Sequence, residues 1–430
     1  MTSRRSDRRQ NNMSDTPNQQ PLVEEAEAAR RMLDAVQVSS SERLPVCSAS
    51  GYAAESVAAE LPSPPFDCSS MDGYALGGSG PWPAGLEVEL LSGEVAAGDA
   101  IEHDLPEGRA LRIFTGAPVP VNCGAVVMQE DVEIIPGTPE KIRIGEAVEP
   151  GEFIRRAGAD LCRGQIYLQA GQRISPQVVA ALTSQGRTEV LVHQVPRVGI
   201  LTTGDELVAA NIGIENLKPG QIFNSNRPLI DGLCRQAGAE IVVAEHVGDS
   251  RDDLFAVATR MVEAGCHIII STGGVSVGDH DHVRWLVDEM GLKTHVWKIR
   301  MQPGKPMLFA GPIEGVLDSG PWFFGLPGNP ASAFVCFHRF VAPAIRKRAG
   351  ADQSLIPVPS QPATAAEAFR NRGNRPHYLR GHLDRQTATF RPLGLQQSHA
   401  IAGLASADAL VRLEPSQEVA EGDSLEVFPV

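Results

Sequence analysis

The sequence predicts a protein of several domains in which a doubly wound α/β domain is combined with β-rich domains. Three observations predict this fold class. The 430 residues exceed what one hydrophobic core usually holds. Residues 195–349 alternate between strand-like and helix-like stretches, which is typical of a mostly parallel sheet between helices. Residues 75–155 consist of short alternating stretches separated by glycine and proline, which indicates a β-domain.

The N-terminal third is expected to contain a polar tail and a helix. Residues 1–20 combine arginines with Asn, Ser, Gln and Pro, which favours a disordered tail over a functional basic arm. Apolar residues then recur at steps of four and three, which predicts a helix up to about Val36. The proline-rich stretch "LPSPPFDCSSMDGYAL" ends this pattern. A further helix within 168–186 is expected to rejoin the first one.

The α/β region follows a regular order of strand, loop and helix. The strand "RVGIL" comes first, followed by a helix over about 226–237, the strand "EIVVAEHVGD" and a helix that Ser250 caps. The strand "HIIIS", the helix "DHVRWLVDEMG", the strand "HVWKIR" and a strand pair around "MLFA" and "WFFG" come next. A last helix ends near Arg348. The final 70 or so residues have no helical period and are expected to be β-structure.

Polar and glycine residues follow each predicted strand of this region. Because ligands of open α/β sheets bind beyond the carboxyl ends of the strands, these residues are expected to share one rim and to form a binding site. They are Thr203, Gly204, Asp205 and Glu206, then Gly248 and Asp249, then Gly273, Gly274, Ser276, Gly278, Asp279 and Asp281, then Gly304 and Lys305, and finally Gly328 and Asn329.

The loop "GGVSVGDHD" has the glycine spacing of a P-loop but acidic chemistry. Gly273 and Gly278 stand in the G-x-x-x-x-G pattern, whose backbone N–H groups can approach a phosphate. Asp279 and His280 replace the lysine and hydroxyl residue of a P-loop, which excludes an ordinary P-loop nucleotidase. Carboxylates at this rim would repel an anion unless a divalent cation lies between them. The pattern therefore predicts Mg²⁺ together with a phosphate-bearing ligand.

Composition limits the partners and the compartment. The net charge of −14 disfavours binding to nucleic acid or to an anionic membrane surface, because both need a basic field. Neither a run of about 18 apolar residues nor a secretory signal is present, so a cytoplasmic protein is expected. The seven cysteines are scattered and never form a C-x-x-C pair, so reduced thiols are expected.

Three motifs outside the α/β region are ambiguous when they are taken alone. In "MDGYA", Asp72 before Gly73 is typical of a simple turn. In "FTGAPVP", Thr115 lies in a loop that prolines stiffen. In "FIRRAGADL", the arginines and Asp160 favour a surface ion pair about as much as an anion site.

With these motifs in view, the chain resembles the MoeA family of molybdopterin molybdenumtransferases, which includes the E-domain of gephyrin. The resemblance covers the chain from about Pro21 onward. It rests on the following stretches, in this order: "PPFDCSSMDGYAL", "IFTGAPVPVNCGAVVMQEDVE", "FIRRAGADL", "GILTTGDEL", "GQIFNSNRPLI", "STGGVSVGDHDHV", "MQPGKPMLF" and "GLPGNPASA".

The resemblance implies a dimer with four domains in each chain. After the tail, an elongated, discontinuous helical domain I would cover 21–65 and 157–194. A β-rich domain II would be inserted at 66–156. The α/β domain III, of the molybdopterin-binding type, would cover 195–349 and carry the substrate and Mg²⁺ site. A C-terminal β-barrel, domain IV, would cover 350–430.

The activity that the resemblance implies is the Mg²⁺-dependent insertion of molybdate into adenylylated molybdopterin, with release of AMP. The implied catalytic residues are Asp72, Thr115, Asp160, Glu206, Asp249 and Asp281, with Glu206, Asp249 and Asp281 as metal ligands. Substrate binding would involve Gly273, Gly274, Ser276, Gly278, Lys298, Lys305, Arg380 in "HYLRG" and Ser398 in "QQSHA". Asp72 would reach the site of the opposite subunit.

One departure and two alternatives remain open from sequence. Gln302 stands where several relatives have a lysine before "PGKP", which leaves Lys298 and Lys305 as the expected cations. The first alternative is that this chain is itself a molybdopterin adenylyltransferase. Because that enzyme resembles domain III alone, the three additional domains of this chain disfavour the alternative. The adenylyltransferase is also expected as a protein partner. A scaffold of the gephyrin type is disfavoured because the chain has one copy of "TTGDEL" and "GGVSVG" and a short polar N-terminal segment.

Overall fold

A computed structural model of the chain describes residues 21–100, 104–275, 282–313 and 320–430. The predicted site residues Ser276, Gly278 and Asp281 lie outside these ranges, as does the arginine-rich segment 1–20. Among the described residues, no helix combines the length and the apolar character needed to cross a membrane.

Helix α1 (Glu25–Ala35) packs on the α/β unit. Its buried residues Ala28 and Met32 belong to one hydrophobic core with the sheet and helices of that unit. The backbone nitrogen of Val23 also donates a hydrogen bond to the carbonyl of Lys298, 3.0 Å away. The expectation that the helix within 168–186 rejoins α1 was therefore wrong, because the α/β unit covers the apolar face of α1.

Three strands lead from α1 into a six-stranded β-unit. The strands are β1 (Ser41–Pro45), β2 (Val57–Ala58), β3 (Cys68–Ser69), β4 (Gly73–Gly77), β5 (Glu87–Val95), β6 (Arg109–Ile113), β7 (Cys123–Met128), β8 (Val132–Ile135) and β9 (Lys141–Ile144). Six of them form a sheet in the order β7-β4-β6-β5-β9-β8. In β9, buried Ile142 and Ile144 flank exposed Arg143, which is the period of two expected of a strand with one covered face.

The chain then returns to the strands that it left. The elements of this return are β10 (Ile154–Arg155), β11 (Ile166–Leu168), α2 (Pro176–Ser184) and β12 (Glu189–His193). Strands β10, β11 and β12 pair antiparallel with β3, β2 and β1, respectively. The six-stranded sheet is therefore inserted between two chain segments that pair with each other. Leu168 and Leu182 lie in the separate core of this paired unit.

The α/β unit contains one six-stranded sheet with helices on its faces. Its elements are β13 (Arg197–Thr203), β14 (Leu207–Val208), β15 (Ile222–Phe223), α3 (Asn226–Gln236), β16 (Glu240–Val247), α4 (Arg251–Glu263), β17 (Ile268–Thr272), α5 (His282–Glu289), β18 (Lys293–Trp297), β19 (Leu308–Gly311), β20 (Trp322–Leu326), α6 (Pro330–Cys336) and α7 (Ala342–Arg348). A π-helical stretch, Phe337–Val341, joins α6 to α7.

The sheet order is β16-β13-β17-β20-β19-β18, and the first four strands are parallel. Strand β19 runs antiparallel to both of its neighbours. Because β13, β17 and β20 lie side by side and point the same way, the loops that follow them emerge at one rim. Ser250 caps α4 by accepting a hydrogen bond from the backbone nitrogen of Asp253, 3.4 Å away, as the sequence predicted.

The C-terminal region forms a closed barrel in the order β21-β24-β23-β25-β27. Its strands are β21 (Gln361–Ala365), β22 (Phe369–Arg370), β23 (His377–Asp384), β24 (Thr389–Pro392), β25 (Ala409–Leu413), β26 (Glu418–Val419) and β27 (Ser424–Pro429). The predicted β-structure of this region, and the multidomain α/β and β fold class as a whole, are confirmed.

Candidate functional site

A cleft of about 760 Å³ opens beyond the carboxyl ends of the parallel strands. Loops after four strands of the α/β unit contribute to it, and so does the barrel. The lining residues include Thr203, Gly204, Glu206, Asn226, Asp249, Thr272, Gly273, Gly274, Pro306, Gly328, Asn329, His399 and Ile401. Of the residues that the sequence singled out for the site, the cleft lining contains Thr203, Gly204, Glu206, Asp249, Gly273, Gly274, Gly328 and Asn329.

Asp249 is held in place by the end of β13 and the loop that follows it. The hydroxyl of Thr203, at the end of β13, donates a 2.8 Å hydrogen bond to Oδ1 of Asp249. The backbone nitrogen of Asp249 donates to Oδ1 of Asp205, 3.0 Å away. These contacts leave Oδ2 of Asp249 with no described hydrogen bond inside the protein. One carboxylate oxygen is thus anchored while the other can serve a ligand.

Backbone geometry at Gly273 requires glycine. Its φ is +94°, and a Cβ atom there would lie 2.5 Å from the carbonyl oxygen of Thr203. Gly274 also has a positive φ, +64°. This close approach places the start of the glycine loop directly beside the Thr203 loop, so backbone amides and the anchored carboxylate share one cleft.

Helix N-termini point toward the same cleft. Helix α3 begins at Asn226, and the helical segment 330–348 begins after Asn329. Nδ2 of Asn226 donates a 2.6 Å hydrogen bond to the carbonyl of Gly328, which ties the two helix starts together. Helix N-termini carry partial positive charge and exposed N–H groups, so this end of the cleft suits an anion.

The formal charges at the cleft are acidic. Among its described lining residues, Glu206 and Asp249 are carboxylates and none is lysine or arginine. Among the described residues of the whole chain, no group of three His, Cys, Asp or Glu side chains is arranged to hold a metal. Two carboxylates still fit Mg²⁺, which is commonly bound by one or two carboxylates plus substrate phosphates and water.

The two predicted lysines lie outside the cleft lining, and one of them directly adjoins it. Lys305 is exposed and directly precedes Pro306, which lines the cleft. Lys298 is buried and has a positive φ of +61°. Its ammonium group lies 3.9 Å from the centre of the Trp297 ring.

The barrel reaches the cleft through its loop 395–401. The hydroxyl of Ser398 accepts a 3.0 Å hydrogen bond from Nδ2 of Asn329, and His399 and Ile401 line the cleft. Sequence reasoning missed these last two residues, because a β-rich tail has no period that marks loop positions. Their position next to Ser398 is the one signal that could have identified them.

Arg380 holds loop 395–401 through hydrogen bonds to its backbone. Its side chain is 1% exposed, and it donates hydrogen bonds to the carbonyls of Leu395, Gln397 and Ala400 at 3.0, 3.1 and 3.3 Å. Burial lowers the pKa of Arg380. The described contacts therefore make Arg380 a support for the loop that carries Ser398, whereas the sequence predicted direct contact with an anion.

Asp72 and Thr115 form a pair on the β-unit. Both the backbone nitrogen and the hydroxyl of Thr115 donate to Oδ1 of Asp72 at 2.8 Å. These hydrogen bonds, the backbone one first, lower the pKa of Asp72. Both residues are exposed, and neither lines the cleft of its own chain.

Asp160 is also exposed and lies outside the cleft. Its backbone nitrogen donates to the carbonyl of Ser63, 2.9 Å away. Nearby Arg156 forms its ion pair with Asp67 at 2.6 Å. The surface ion pair expected in "FIRRAGADL" therefore exists, but its acidic partner comes from the proline-rich segment.

Comparisons with known proteins cover nearly the whole chain. Residues 23–186 match the MoeA N-terminal region (domain I and II), residues 199–347 a probable molybdopterin binding domain, and residues 362–430 the MoeA C-terminal region (domain IV). The molybdopterin molybdenumtransferase of Haemophilus influenzae is 32% identical over 87% of this chain and 90% of that protein. The one from Nostoc is 34% identical over 86% of this chain and 80% of that protein.

A solved structure agrees with these relatives. The molybdopterin biosynthesis MoeA protein of Pyrococcus horikoshii superposes with a TM-score of 0.79 at 25% identity. The match covers 95% of this chain and 100% of that one. The fold and the sequence therefore point to the same group of proteins.

Proposed function

The chain belongs to the MoeA family and is a molybdopterin molybdenumtransferase of molybdenum cofactor biosynthesis, and we propose that its substrates are adenylylated molybdopterin and molybdate. The proposed reaction releases AMP and requires Mg²⁺. The observation that carries this proposal is the cleft itself, where the anchored carboxylate of Asp249, the carboxylate of Glu206, a glycine loop and two helix N-termini converge.

An acidic cleft that must accept two anions needs a cation. Glu206 and Asp249 would hold Mg²⁺ together with phosphate oxygens of the substrate, and Asp281, which lies outside the described residues, is the third proposed ligand. When bound, Mg²⁺ would neutralise the phosphates and polarise the bond to be cleaved. Thr203 and Asp205 keep Asp249 in one orientation for this task.

The remaining groups would position the two substrates. Backbone amides of Gly273 and Gly274, continued by Ser276 and Gly278, would approach the pyrophosphate. Molybdate oxygens would be held near Asn329 and Ser398, with Lys305 and Lys298 supplying positive charge beside the cleft. Arg380 contributes by fixing the loop that carries Ser398.

The Asp72–Thr115 pair supports the proposal of a second copy of the chain. Because both residues lie outside the cleft of their own chain, we propose a homodimer in which the pair faces the cleft of the partner. Asp160 is proposed to act near the same cleft, at the boundary between the two copies of the chain. The adenylyltransferase that supplies the substrate is a candidate partner, and the cytoplasm is the proposed compartment.

The decisive assay supplies adenylylated molybdopterin, Mg²⁺ and molybdate and follows AMP. The expected result is AMP release that requires both molybdate and Mg²⁺. A chain that instead consumes ATP and molybdopterin to form the adenylate would be an adenylyltransferase. Absence of molybdate-dependent AMP release from a folded protein would refute the proposed reaction.

A further inference from the structure

The first residue of helix α1 joins two domains through its carboxylate. Glu25 is 5% exposed. Its Oε1 accepts hydrogen bonds from Nε of Arg339, 3.3 Å away, and from the hydroxyl of Tyr378. Its Oε2 accepts from Nε of Arg412 at 2.8 Å. We call Glu25, Arg339, Tyr378 and Arg412 the Glu25 cluster.

The cluster draws on three separate parts of the chain. Arg339 lies in the π-helical stretch of the α/β unit, whereas Tyr378 and Arg412 lie on barrel strands β23 and β25. A buried carboxylate between two arginines is strongly constrained, because removal of its charge takes away the carboxylate that pairs with Arg339 and leaves Arg412 with Glu414. The cluster therefore fixes the barrel against the α/β unit with directional contacts.

The protonation states of Tyr378 and Arg412 keep both residues as hydrogen-bond donors to Glu25. Although burial acts to lower the pKa of Arg412, its hydrogen bonds to Glu25 and Glu414 raise that pKa. Burial, followed by the charge of Glu25, raises the pKa of Tyr378. Tyr378 therefore remains a hydroxyl donor, and Arg412 remains a cation, throughout the physiological pH range.

Strand β23 connects the cluster to the cleft. Tyr378 and Arg380 are two residues apart, so their side chains leave the strand on the same face. Arg380 holds the carbonyls of loop 395–401, and Ser398 of that loop meets Asn329 in the cleft. The same strand is joined to the "MQPGKP" loop, because the backbone nitrogen of Tyr378 donates to the carbonyl of Gln302 at 2.7 Å.

Apolar packing keeps the barrel attached independently of these charges. Tyr378, Leu410 and Phe428 belong to the hydrophobic core of the α/β unit. Loss of the Glu25 charge should therefore leave the barrel packed on the α/β unit and increase only the range of orientations that the barrel adopts.

We propose that Glu25 is a positioning residue for the reaction, which sets the barrel so that Ser398 and its loop meet Asn329 and complete the molybdate end of the cleft. The expected change in KM rests on the proposed function, whereas the role of Glu25 in orienting the barrel does not. Glu25 does not line the cleft.

The test compares Glu25→Gln with Glu27→Gln. Glu27 is on the same helix, but its contacts are exposed ion pairs with Arg30 and Arg31. In Glu25→Gln we expect the KM for molybdate to rise about threefold to tenfold, with kcat within about twofold of wild type. Amide hydrogen exchange in 395–401 should accelerate, while that in β13 and β17 stays unchanged. Glu27→Gln should behave as wild type.

A second variant covers the case in which Glu25→Gln does not fold. Tyr378→Phe removes one donor and keeps the ring in its core, so it should shift KM and exchange in the same direction by a smaller factor. Folded variants that match Glu27→Gln in both measurements would overturn the inference. If the wild-type protein shows no molybdate-dependent turnover, the proposed function fails, and the exchange measurement still decides the role of Glu25.

Discussion

Two carboxylate–threonine pairs of this chain have the same local chemistry in different surroundings. In the α/β unit, the hydroxyl of Thr203 donates to Asp249 at 2.8 Å, and in the β-unit the hydroxyl of Thr115 donates to Asp72 at the same distance. Asp249 lines a cleft of about 760 Å³, whereas Asp72 lies on an exposed surface.

The difference shows that an oriented carboxylate alone does not make a site. Asp249 shares its cleft with Glu206, a glycine loop and helix N-termini, so a ligand there meets several groups at once. Asp72 is oriented by two hydrogen bonds, yet its own chain places it outside that cleft. An oriented but exposed carboxylate suits the proposed role of Asp72, which is to complete the cleft of a second copy of the chain.

Removal of the cleft carboxylate should have the largest effect. Asp249→Asn keeps an oxygen that can accept from Thr203, so the fold should be preserved while the proposed Mg²⁺ ligand is lost. We expect kcat/KM for AMP release to fall by roughly a hundredfold or more, the magnitude typical of losing one electrostatic stabiliser.

Asp252→Asn is the matched control for that measurement. Asp252 lies three residues away, is exposed in the first turn of α4 and does not line the cleft. If Asp249→Asn retained full activity, or if both variants lost activity equally, Asp249 would not have the proposed role.

Substitution of Asp72 should lower activity less than substitution of Asp249. A second copy of the chain with an intact Asp72 should restore part of the lost activity. Asp72→Asn is expected to lower kcat/KM by about tenfold to a hundredfold, as misplacement of a positioning group does. Because Asp72 is proposed to serve the partner's cleft, mixing Asp72→Asn with Asp249→Asn should form hybrid dimers with one intact site. Random exchange of subunits would restore about a quarter of wild-type activity.

Absence of complementation would contradict action across the dimer, provided that subunit exchange is verified. Mixing wild type with a double variant of Asp72 and Asp249 is the control, because action across the dimer leaves no intact site in the hybrid dimers. With random exchange, the activity should then fall to about a quarter of that of wild type, whereas action within one chain would keep about half. Light scattering of the unmixed proteins tests whether the dimer exists.

Sequence reasoning predicted what depends on short-range pattern. The strand–loop–helix order of residues 195–349 predicted the parallel sheet, and the sheet topology brought Glu206, Asp249 and Gly273 to one rim. The Ser250 cap followed from a hydroxyl residue placed before a helical period.

Long-range packing was not readable from the sequence. The apolar stripe of α1 predicted a buried face, but the partner expected from the sequence, the helix within 168–186, was wrong, because the α/β unit covers that face. The family resemblance implied that Arg380 binds substrate, whereas its burial beneath loop 395–401 depends on barrel closure, which the sequence does not show. Glu25 gave no signal, since its donors lie more than 300 residues away.

A smaller effect is expected where the barrel completes the cleft. Ser398→Ala removes the hydroxyl that accepts from Asn329 and leaves the loop held by Arg380. One hydrogen bond of this kind corresponds to about a twofold to tenfold rise in the KM for molybdate. Ser360→Ala, on the barrel but hydrogen-bonded to exposed Glu426, should leave KM unchanged and serves as the control. An unchanged KM in Ser398→Ala would place molybdate elsewhere.

The smallest effect concerns the proton affinity of Asp72. The backbone N–H of Thr115 lowers the pKa of Asp72 most, and the Thr115 hydroxyl follows. Thr115→Ala removes only the hydroxyl, so the pKa of Asp72 should rise but stay below its ordinary value of 3.8. Because the folded-state pKa is depressed, ionised Asp72 stabilises the fold above the unfolded pKa, and this contribution is lost as pH falls through the folded pKa.

Carboxyl ¹³C NMR of labelled Asp72 would measure this shift directly. At neutral pH Asp72 is ionised in wild type and in Thr115→Ala alike, so the variant should alter activity only through the orientation of the carboxylate. A return of the pKa of Asp72 to its ordinary value in Thr115→Ala would show that the hydroxyl is the main cause.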